Sequence, residues 1–171
     1  RIRRRRQRLN LFCRDSCLKM ILKIKGINHI IWLTGQSGSG KTTVAELLSK
    51  KLNAVVLDGD EMRNSISLEM GFSKEDRNKH NLRVARLASV LCKRHPVVVS
   101  VIAPFSKTRE EINKIIDPIW VYIERTSLPS QDIDKPYEIP VNPHITINSD
   151  TATPEENMEK IFQYIFMSDK I

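Results

Sequence analysis

The sequence is poor in cysteine and lacks a long apolar run, and both absences restrict what the protein can be. Its 171 residues include three cysteines, none of which stands with other cysteines or histidines at the spacing of a metal site. Three cysteines without a disulfide framework are typical of a reducing compartment. Residues 9–22 are apolar but carry Arg14, Asp15 and Lys19, which excludes a secretory signal core or a membrane span there. We therefore expect a cytoplasmic protein without a membrane partner.

The positive charge of the chain is confined to its first residues. The formal net charge is +8, from 28 basic and 20 acidic side chains, and residues 1–25 hold ten of the bases but only one acid. The remainder is close to neutral. The arginine-rich start could attract RNA or a membrane, or it could be an ill-defined start with Met20 as an internal initiator. Because no aromatic pattern interleaves these arginines, we predict a disordered tail over 1–25, a folded domain over 26–171 and no nucleic-acid partner.

The strongest motif is a glycine-rich loop between an apolar stretch and a helical pattern. Residues 35–42 read GQSGSGKT, which fits the phosphate-binding consensus G-x-x-x-x-G-K-[ST]. Glycines let successive backbone N–H groups approach phosphate oxygens, and the helix that follows adds its partial positive charge. Lys41 would contact the β- and γ-phosphates of ATP and Thr42 would bind Mg²⁺, whereas the alternative is a flexible turn without a ligand. The predicted nucleotide-binding residues are Gly35, Gln36, Ser37, Gly38, Ser39, Gly40, Lys41, Thr42 and Thr43.

Apolar stretches alternate with helical patterns along the rest of the chain. Strands are predicted at residues 28–33, 54–57, 96–102, 120–123 and 144–147. Helices are predicted from the glycine-rich loop to Asn53, over 61–70, over 73–94, over 107–116 and from Thr153 to about residue 166. Ser73 and Thr153 each open a capping-box pattern. This alternation predicts an α/β fold, a doubly wound and mainly parallel five-stranded sheet with helices on both faces.

Charged residues follow the second predicted strand. Ligands bind beyond the carboxyl ends of the strands in such a sheet, so Asp58 and Asp60 should stand near the γ-phosphate and its Mg²⁺. An acid there can organise the metal or accept a proton from an attacking hydroxyl, whereas the alternative is a solvated Asp-Gly turn. Arg63 and Arg77 either form a solvated basic face or bind an anionic second substrate. Since the motifs of GTPase switches are missing, small-molecule phosphoryl transfer is favoured over a motor or a signalling switch.

Five stretches together resemble the adenylyl-sulfate kinase family. Residues 31–43, IWLTGQSGSGKTT, are similar to WLTGLSGAGKTT, and residues 57–63, LDGDEMR, to LDGDNVR. Residues 70–77, MGFSKEDR, are similar to LGFS-x-x-DR, and residues 102–105 with Arg109 to ISPY followed by an arginine. Residues 132–140, DIDKPYEIP, look like GIDxPYEAP. The resemblance covers about residues 30–165 and is more specific than the phosphate loop alone.

The resemblance implies a kinase that transfers the γ-phosphate of ATP to the 3′-hydroxyl of adenylyl sulfate, a step of sulfate assimilation, with Mg²⁺ as cofactor. It implies that Lys41 and Asp58 are catalytic, and that Asp58 activates the hydroxyl and holds the metal together with Thr42. The partner is then a small nucleotide acceptor, and a homodimer is left open. The implied substrate-binding residues are Asp60, Arg63, Phe72, Arg77, Asn81, Ile102 and Arg109.

Three departures from the family pattern leave alternatives open. His80 stands where the family has an asparagine, which Asn81 follows one place late. Ala103 replaces a serine that can carry a phosphoserine in family members, so no such intermediate can form here. The family's lid, between the fourth strand and the GIDxPYE run, is missing, and a lid excludes water and completes the second-substrate pocket. A kinase of a cytidine nucleotide such as cytidine diphosphoramidate, or a non-catalytic nucleotide-binding module, therefore remains an alternative.

Overall fold

A five-stranded parallel sheet forms the centre of the protein in the computed structural model, which describes residues 29–128 and 136–168. The strand order is β2-β3-β1-β4-β5, and every neighbouring pair is parallel. The predicted fold class is thereby confirmed, whereas the tail predicted over 1–25 lies outside the described residues. The strands are β1 (Ile30–Thr34), β2 (Val55–Asp58), β3 (Val97–Ser100), β4 (Ile119–Glu124) and β5 (Ile145–Asn148).

Five helices connect or follow these strands in the described part of the chain. Ser73 caps the third, because its Oγ accepts a hydrogen bond from the backbone N–H of Asp76 at 3.1 Å. A reciprocal capping box opens the last: the N–H of Thr153 donates to the Glu156 carboxylate at 2.8 Å, and the N–H of Glu156 donates to Thr153 Oγ1 at 3.2 Å. The helices are α1 (Lys41–Leu52), α2 (Gly59–Arg63), α3 (Lys74–Leu91), α4 (Ser106–Asn113) and α5 (Pro154–Ser168).

Alternating side chains of the sheet supply two separate cores. Ile31 and Leu33 of β1 pack with α1 and α5 on one face, whereas Ile30 and Trp32 pack with α3 and α4 on the other. The Trp32 indole lies 5.3 Å from that of Trp120 and donates its N–H to a backbone carbonyl. Because β1 is covered on both faces and paired on both edges, the loop at its carboxyl end starts from a rigid base.

The helix predicted over 61–70 is much shorter in the structure, and this part of the prediction was wrong. Helix α2 begins earlier, because the Asp58 carboxylate accepts the N–H of Asp60 as an N-cap, and it ends at Arg63. Ser65 donates its hydroxyl to the Glu61 carbonyl, a local bond that competes with the helical pattern, and turns follow to residue 69. Asp58 is therefore both the last residue of β2 and the N-cap of α2.

No helix among residues 29–128 and 136–168 combines the length and the apolar character that a membrane crossing requires.

Candidate active site

A cavity of about 550 Å³ lies at the carboxyl ends of β1, β2 and β3. The chain runs from β1 outward to β2 on one side of the sheet, and from β3 across to β4 on the other side, so the loops after β1 and β3 diverge and leave a crevice. Most of the predicted site residues line it. These are Gln36, Ser37, Gly38, Lys41, Thr42, Asp58, Asp60, Arg63, Phe72, Arg77, Asn81 and Ile102.

The phosphate loop owes its shape to its glycines and to Lys41. Gly38 and Gly40 have φ of +81° and +94°, in the left-handed region that side chains disfavour. The Lys41 ammonium donates to the carbonyl oxygens of Gly35 at 2.9 Å and Gln36 at 2.6 Å. Burial lowers the pKa of Lys41 to about 8, although Asp58 and Asp60 oppose the shift, so the side chain remains mostly charged at neutral pH.

Four predicted nucleotide-binding residues do not line the cavity: Gly35, Ser39, Gly40 and Thr43. Gly35 shows why. A Cβ at this position would lie 2.6 Å from the carbonyl oxygen of Ile123 and 2.7 Å from Ser39 Oγ. The residue is a glycine because β4 approaches its backbone closely, which is a structural requirement separate from ligand contact.

Three side-chain oxygens come together beside the phosphate loop. Thr42 Oγ1 donates to Asp58 Oδ2 at 2.9 Å and lies 3.5 Å from Ser100 Oγ. The other oxygen of the Asp58 carboxylate accepts the N–H of Asp60, which fixes the rotamer of the side chain. A carboxylate and two hydroxyls are hard oxygen donors, the type that Mg²⁺ prefers.

The opposite end of the candidate site is built around an exposed phenylalanine. Phe72 is 69% exposed, and its ring centre lies 4.6 Å from the Arg63 guanidinium carbon and 5.4 Å from that of Arg77. Both arginines also hold the backbone of this turn, since Arg63 donates to the Gly71 carbonyl and Arg77 donates to that of Phe72. An aromatic face flanked by two cations suits a planar and anionic ligand.

Arg109, predicted to bind the substrate, does not line the cavity, and its substrate-binding role stays a prediction. It is only 7% exposed, and its guanidinium donates to the carbonyl of Ala103 at 2.8 Å and to that of Glu138 at 2.9 Å. Ala103 adopts a left-handed backbone with φ of +45°. Arg109 therefore fastens this strained turn to the segment that begins at Pro136.

Two buried residues in the cavity wall, Tyr137 and His80, were not among the predicted site residues. The Tyr137 hydroxyl lies 3.0 Å from Thr34 Oγ1, and burial raises the pKa of Tyr137 to about 12. His80 is 1% exposed, and neither ring nitrogen has a hydrogen-bond partner among the described residues. Burial, then the charges of Arg63 and Arg83, lower the pKa of His80 to about 4, so the imidazole is neutral at pH 7. Tyr137 stands in the PYE run and was recognisable there, whereas the burial of His80 depends on tertiary packing.

The phosphate loop and the carboxylates of Asp58 and Asp60 line one cavity, which lies at the topological switch point of a parallel sheet. On this strand order, that combination defines a P-loop kinase.

Comparisons with known proteins narrow the class to one family. The adenylylsulphate kinase family model matches residues 27–131. The adenylyl-sulfate kinase of Microcystis aeruginosa is 36% identical in an alignment of 169 positions that includes 82% of this chain and 92% of that protein. That of Thermodesulfovibrio yellowstonii is 35% identical in an alignment of 167 positions that includes 81% of this chain and 84% of that protein. The APS kinase of Mycobacterium tuberculosis, solved in complex with AMPPNP and APS, superposes with a TM-score of 0.73 at 29% identity, covering 80% of this chain and 96% of that one.

The chain belongs to the adenylyl-sulfate kinase family, and is an ATP-dependent kinase with a hydroxyl acceptor. The sequence left three functions open, and the comparisons favour the adenylyl-sulfate kinase over the cytidine-nucleotide kinase and the non-catalytic module.

The comparisons also bear on the length of the segment after β4, where the sequence predicts a shortened lid. The match to the Microcystis protein spans 169 positions, yet 82% of a 171-residue chain is only about 140 residues. Roughly 30 positions of that match therefore have no counterpart here. The short connection between the end of β4 at Glu124 and Pro136 fits this difference.

Proposed function

We propose that this kinase transfers the γ-phosphate of MgATP to the ribose 3′-hydroxyl of adenylyl sulfate. The observation that carries the proposal is the cavity, because the phosphate loop, Asp58 and the arginine-flanked Phe72 all line one continuous space. A relative supports the two substrates, since the APS kinase of Mycobacterium tuberculosis was solved in complex with AMPPNP and APS.

The phosphate loop forms the ATP half of the site. Its glycines bring backbone N–H groups close to the phosphates, and the N-terminus of α1 adds partial positive charge. Lys41 gives the transferring phosphoryl group a mobile cation, because its long side chain can exchange carbonyl partners for phosphate oxygens.

The oxygens beside this loop fit Mg²⁺. Thr42 and Asp58 would hold the ion or its water shell, with Ser100 next to Thr42. Within residues 29–128 and 136–168 no group of three or more His, Cys, Asp or Glu side chains could hold a metal. When bound, Mg²⁺ neutralises charge on the β- and γ-phosphates.

Asp58 acts as the base in the proposed transfer. The bond from the acceptor oxygen to the γ-phosphorus forms while the bond from that phosphorus to ADP breaks, and Asp58 takes the proton of the hydroxyl. Arg63 and Arg77 bind the anionic group of the acceptor and Phe72 stacks on its base. Further contacts come from Asp60, Ile102 and Asn81, whose Oδ1 has no hydrogen-bond partner among the described residues.

An acceptor panel tests the proposal. ADP release is measured from ATP alone, with adenylyl sulfate, and with cytidine diphosphoramidate. We expect turnover only with adenylyl sulfate. A preference for the cytidine nucleotide would overturn the proposed acceptor, and equal ATP hydrolysis without any acceptor would overturn the proposed transfer.

We also infer a cytoplasmic location and leave the assembly to measurement. A hexameric APS kinase from Thiobacillus denitrificans is 28% identical and superposes with a TM-score of 0.69, although this chain covers only 29% of that one. Whether this chain forms a homodimer, which the sequence left open, is checked by its mass in solution from light scattering.

A further inference from the structure

The outer side of the phosphate loop is held by side chains from two neighbouring strand ends. Arg125, directly after β4, donates from Nη1 to the carbonyl oxygen of Gly38 at 2.9 Å. Ser149, directly after β5, donates from Oγ to the carbonyl oxygen of Ser39 at 2.9 Å. Two successive carbonyls of the loop are thus bound from outside, while Lys41 binds two others from within.

Asp150 fixes the segment that carries Arg125. Its Oδ2 accepts the backbone N–H groups of Thr126 at 2.6 Å and Ser127 at 3.1 Å, as well as the Thr126 hydroxyl at 2.9 Å. Its Oδ1 lies 3.7 Å from Arg125 Nε. The hydrogen bonds of Ser127 and Thr126 lower the pKa of Asp150 to about 2, so the carboxylate stays charged at every working pH. We refer to Arg125, Ser149 and Asp150 as the outer clamp.

The outer clamp fixes the orientation of two peptide units of the phosphate loop, those that carry the Gly38 and Ser39 carbonyls. A peptide unit is planar, and in the trans form its N–H points opposite to its C=O. Ser149 holds the Ser39 carbonyl, so the N–H of Gly40, in the same peptide unit, points away from Ser149. Arg125 holds the Gly38 carbonyl, and the N–H of that peptide unit, which belongs to Ser39, donates to the Gln36 carbonyl at 3.2 Å and closes the turn of the loop. The glycines that permit this shape also permit others, and a loop fixed in its binding shape loses less entropy when it binds phosphate.

We propose that Arg125 is a positioning residue for the ATP site, acting through the backbone of the phosphate loop. Arg125 takes this role in a chain whose connection from β4 to Pro136 is short, and its guanidinium also adds a positive charge at the edge of the loop. The inference rests on the proposed function, in that ATP occupies this loop. It assigns no contact between Arg125 and the acceptor.

The test compares Arg125→Ala with two matched variants. Arg125→Lys keeps a cation that can donate to the Gly38 carbonyl. Lys160→Ala removes an exposed cation that donates to a backbone carbonyl elsewhere, that of Thr146 at 2.9 Å. For each protein we would measure the KM for ATP, the KM for adenylyl sulfate, the Kd for AMPPNP by calorimetry, and the Tm.

We expect Arg125→Ala to raise the KM for ATP and the Kd for AMPPNP about three- to tenfold, the range for one charged hydrogen bond at a half-exposed site. The KM for adenylyl sulfate should stay within about twofold of the wild type, and Arg125→Lys should recover most of the ATP affinity. Lys160→Ala should leave both KM values unchanged.

Two results would overturn the inference alone: unchanged ATP affinity in Arg125→Ala, or a fall in Tm with equal loss of affinity for both substrates. The second result would mean that Arg125 only stabilises the fold. A wild-type protein that binds no AMPPNP would instead overturn the proposed function, and this inference with it.

Discussion

Asp58 combines a structural and a chemical role, and the two can be separated by mutation. Its carboxylate caps α2 through the N–H of Asp60 at 3.0 Å and accepts the Thr42 hydroxyl at 2.9 Å. Asparagine has the same size and is as good an N-cap as aspartate, but it cannot accept a proton or hold a metal with a negative charge. Alanine removes the cap as well.

The two variants should differ from each other in Tm but lose a similar factor in kcat. Asp58→Ala loses one N-cap, which costs about 1 kcal/mol and lowers the Tm by about 2–4 °C in a domain of this size. Asp58→Asn keeps the cap and should leave the Tm within about 1 °C of the wild type. Both variants lose the base, so the kcat should fall about 10²- to 10⁴-fold.

The assay is ADP release with ATP, Mg²⁺ and saturating adenylyl sulfate, together with thermal unfolding of each variant. Binding of AMPPNP controls for an intact phosphate loop. An Asp58→Asn protein that folds normally and keeps its kcat within about threefold of the wild type would show that Asp58 is not the base, since loss of a general base costs far more than threefold.

Three further predictions concern stability. Gly35→Ala should lower the unfolding free energy by about 1–3 kcal/mol in denaturant titrations, because its Cβ would lie 2.6 Å from the Ile123 carbonyl oxygen. An unchanged denaturation midpoint would show that β4 can shift to accommodate the Cβ. His80→Leu should raise the Tm, because two unpaired buried nitrogens are removed. The unfolded histidine binds more protons than the folded one, whose pKa is about 4, so the wild type loses stability as the pH falls from about 6.5 to 4. His80→Leu should flatten that loss in unfolding measured across the range, and parallel pH profiles would contradict this. Thr153→Ala should cost about 1 kcal/mol by chemical unfolding, whereas no loss would show that the α5 capping box is unimportant.

The fold was largely predictable because its signals are local. Buried parallel strands read as apolar runs, and the Thr153 capping box is visible in four residues and forms with both of its hydrogen bonds. The prediction of a helix over 61–70 was wrong for a local reason too, since the Asp58 cap and the hydrogen bond of the Ser65 hydroxyl compete with the helical pattern.

Site residues could be predicted where a motif links a residue type to a ligand. They were harder to predict where contacts between distant parts of the sequence determine the position of a side chain. The carbonyls bound by Arg109 belong to a turn with a left-handed alanine and to a segment 29 residues away, and no sequence pattern places a guanidinium there. Arg125 reaches Gly38 across 87 residues of sequence, and only the order of the strands brings them together.

The most direct test of the central claim is the position of the transferred phosphoryl group. The wild-type protein is incubated with MgATP and adenylyl sulfate, and the products are identified by phosphorus NMR. We expect one ADP for each acceptor phosphorylated on its 3′-oxygen. Release of inorganic phosphate with adenylyl sulfate left unchanged would contradict it.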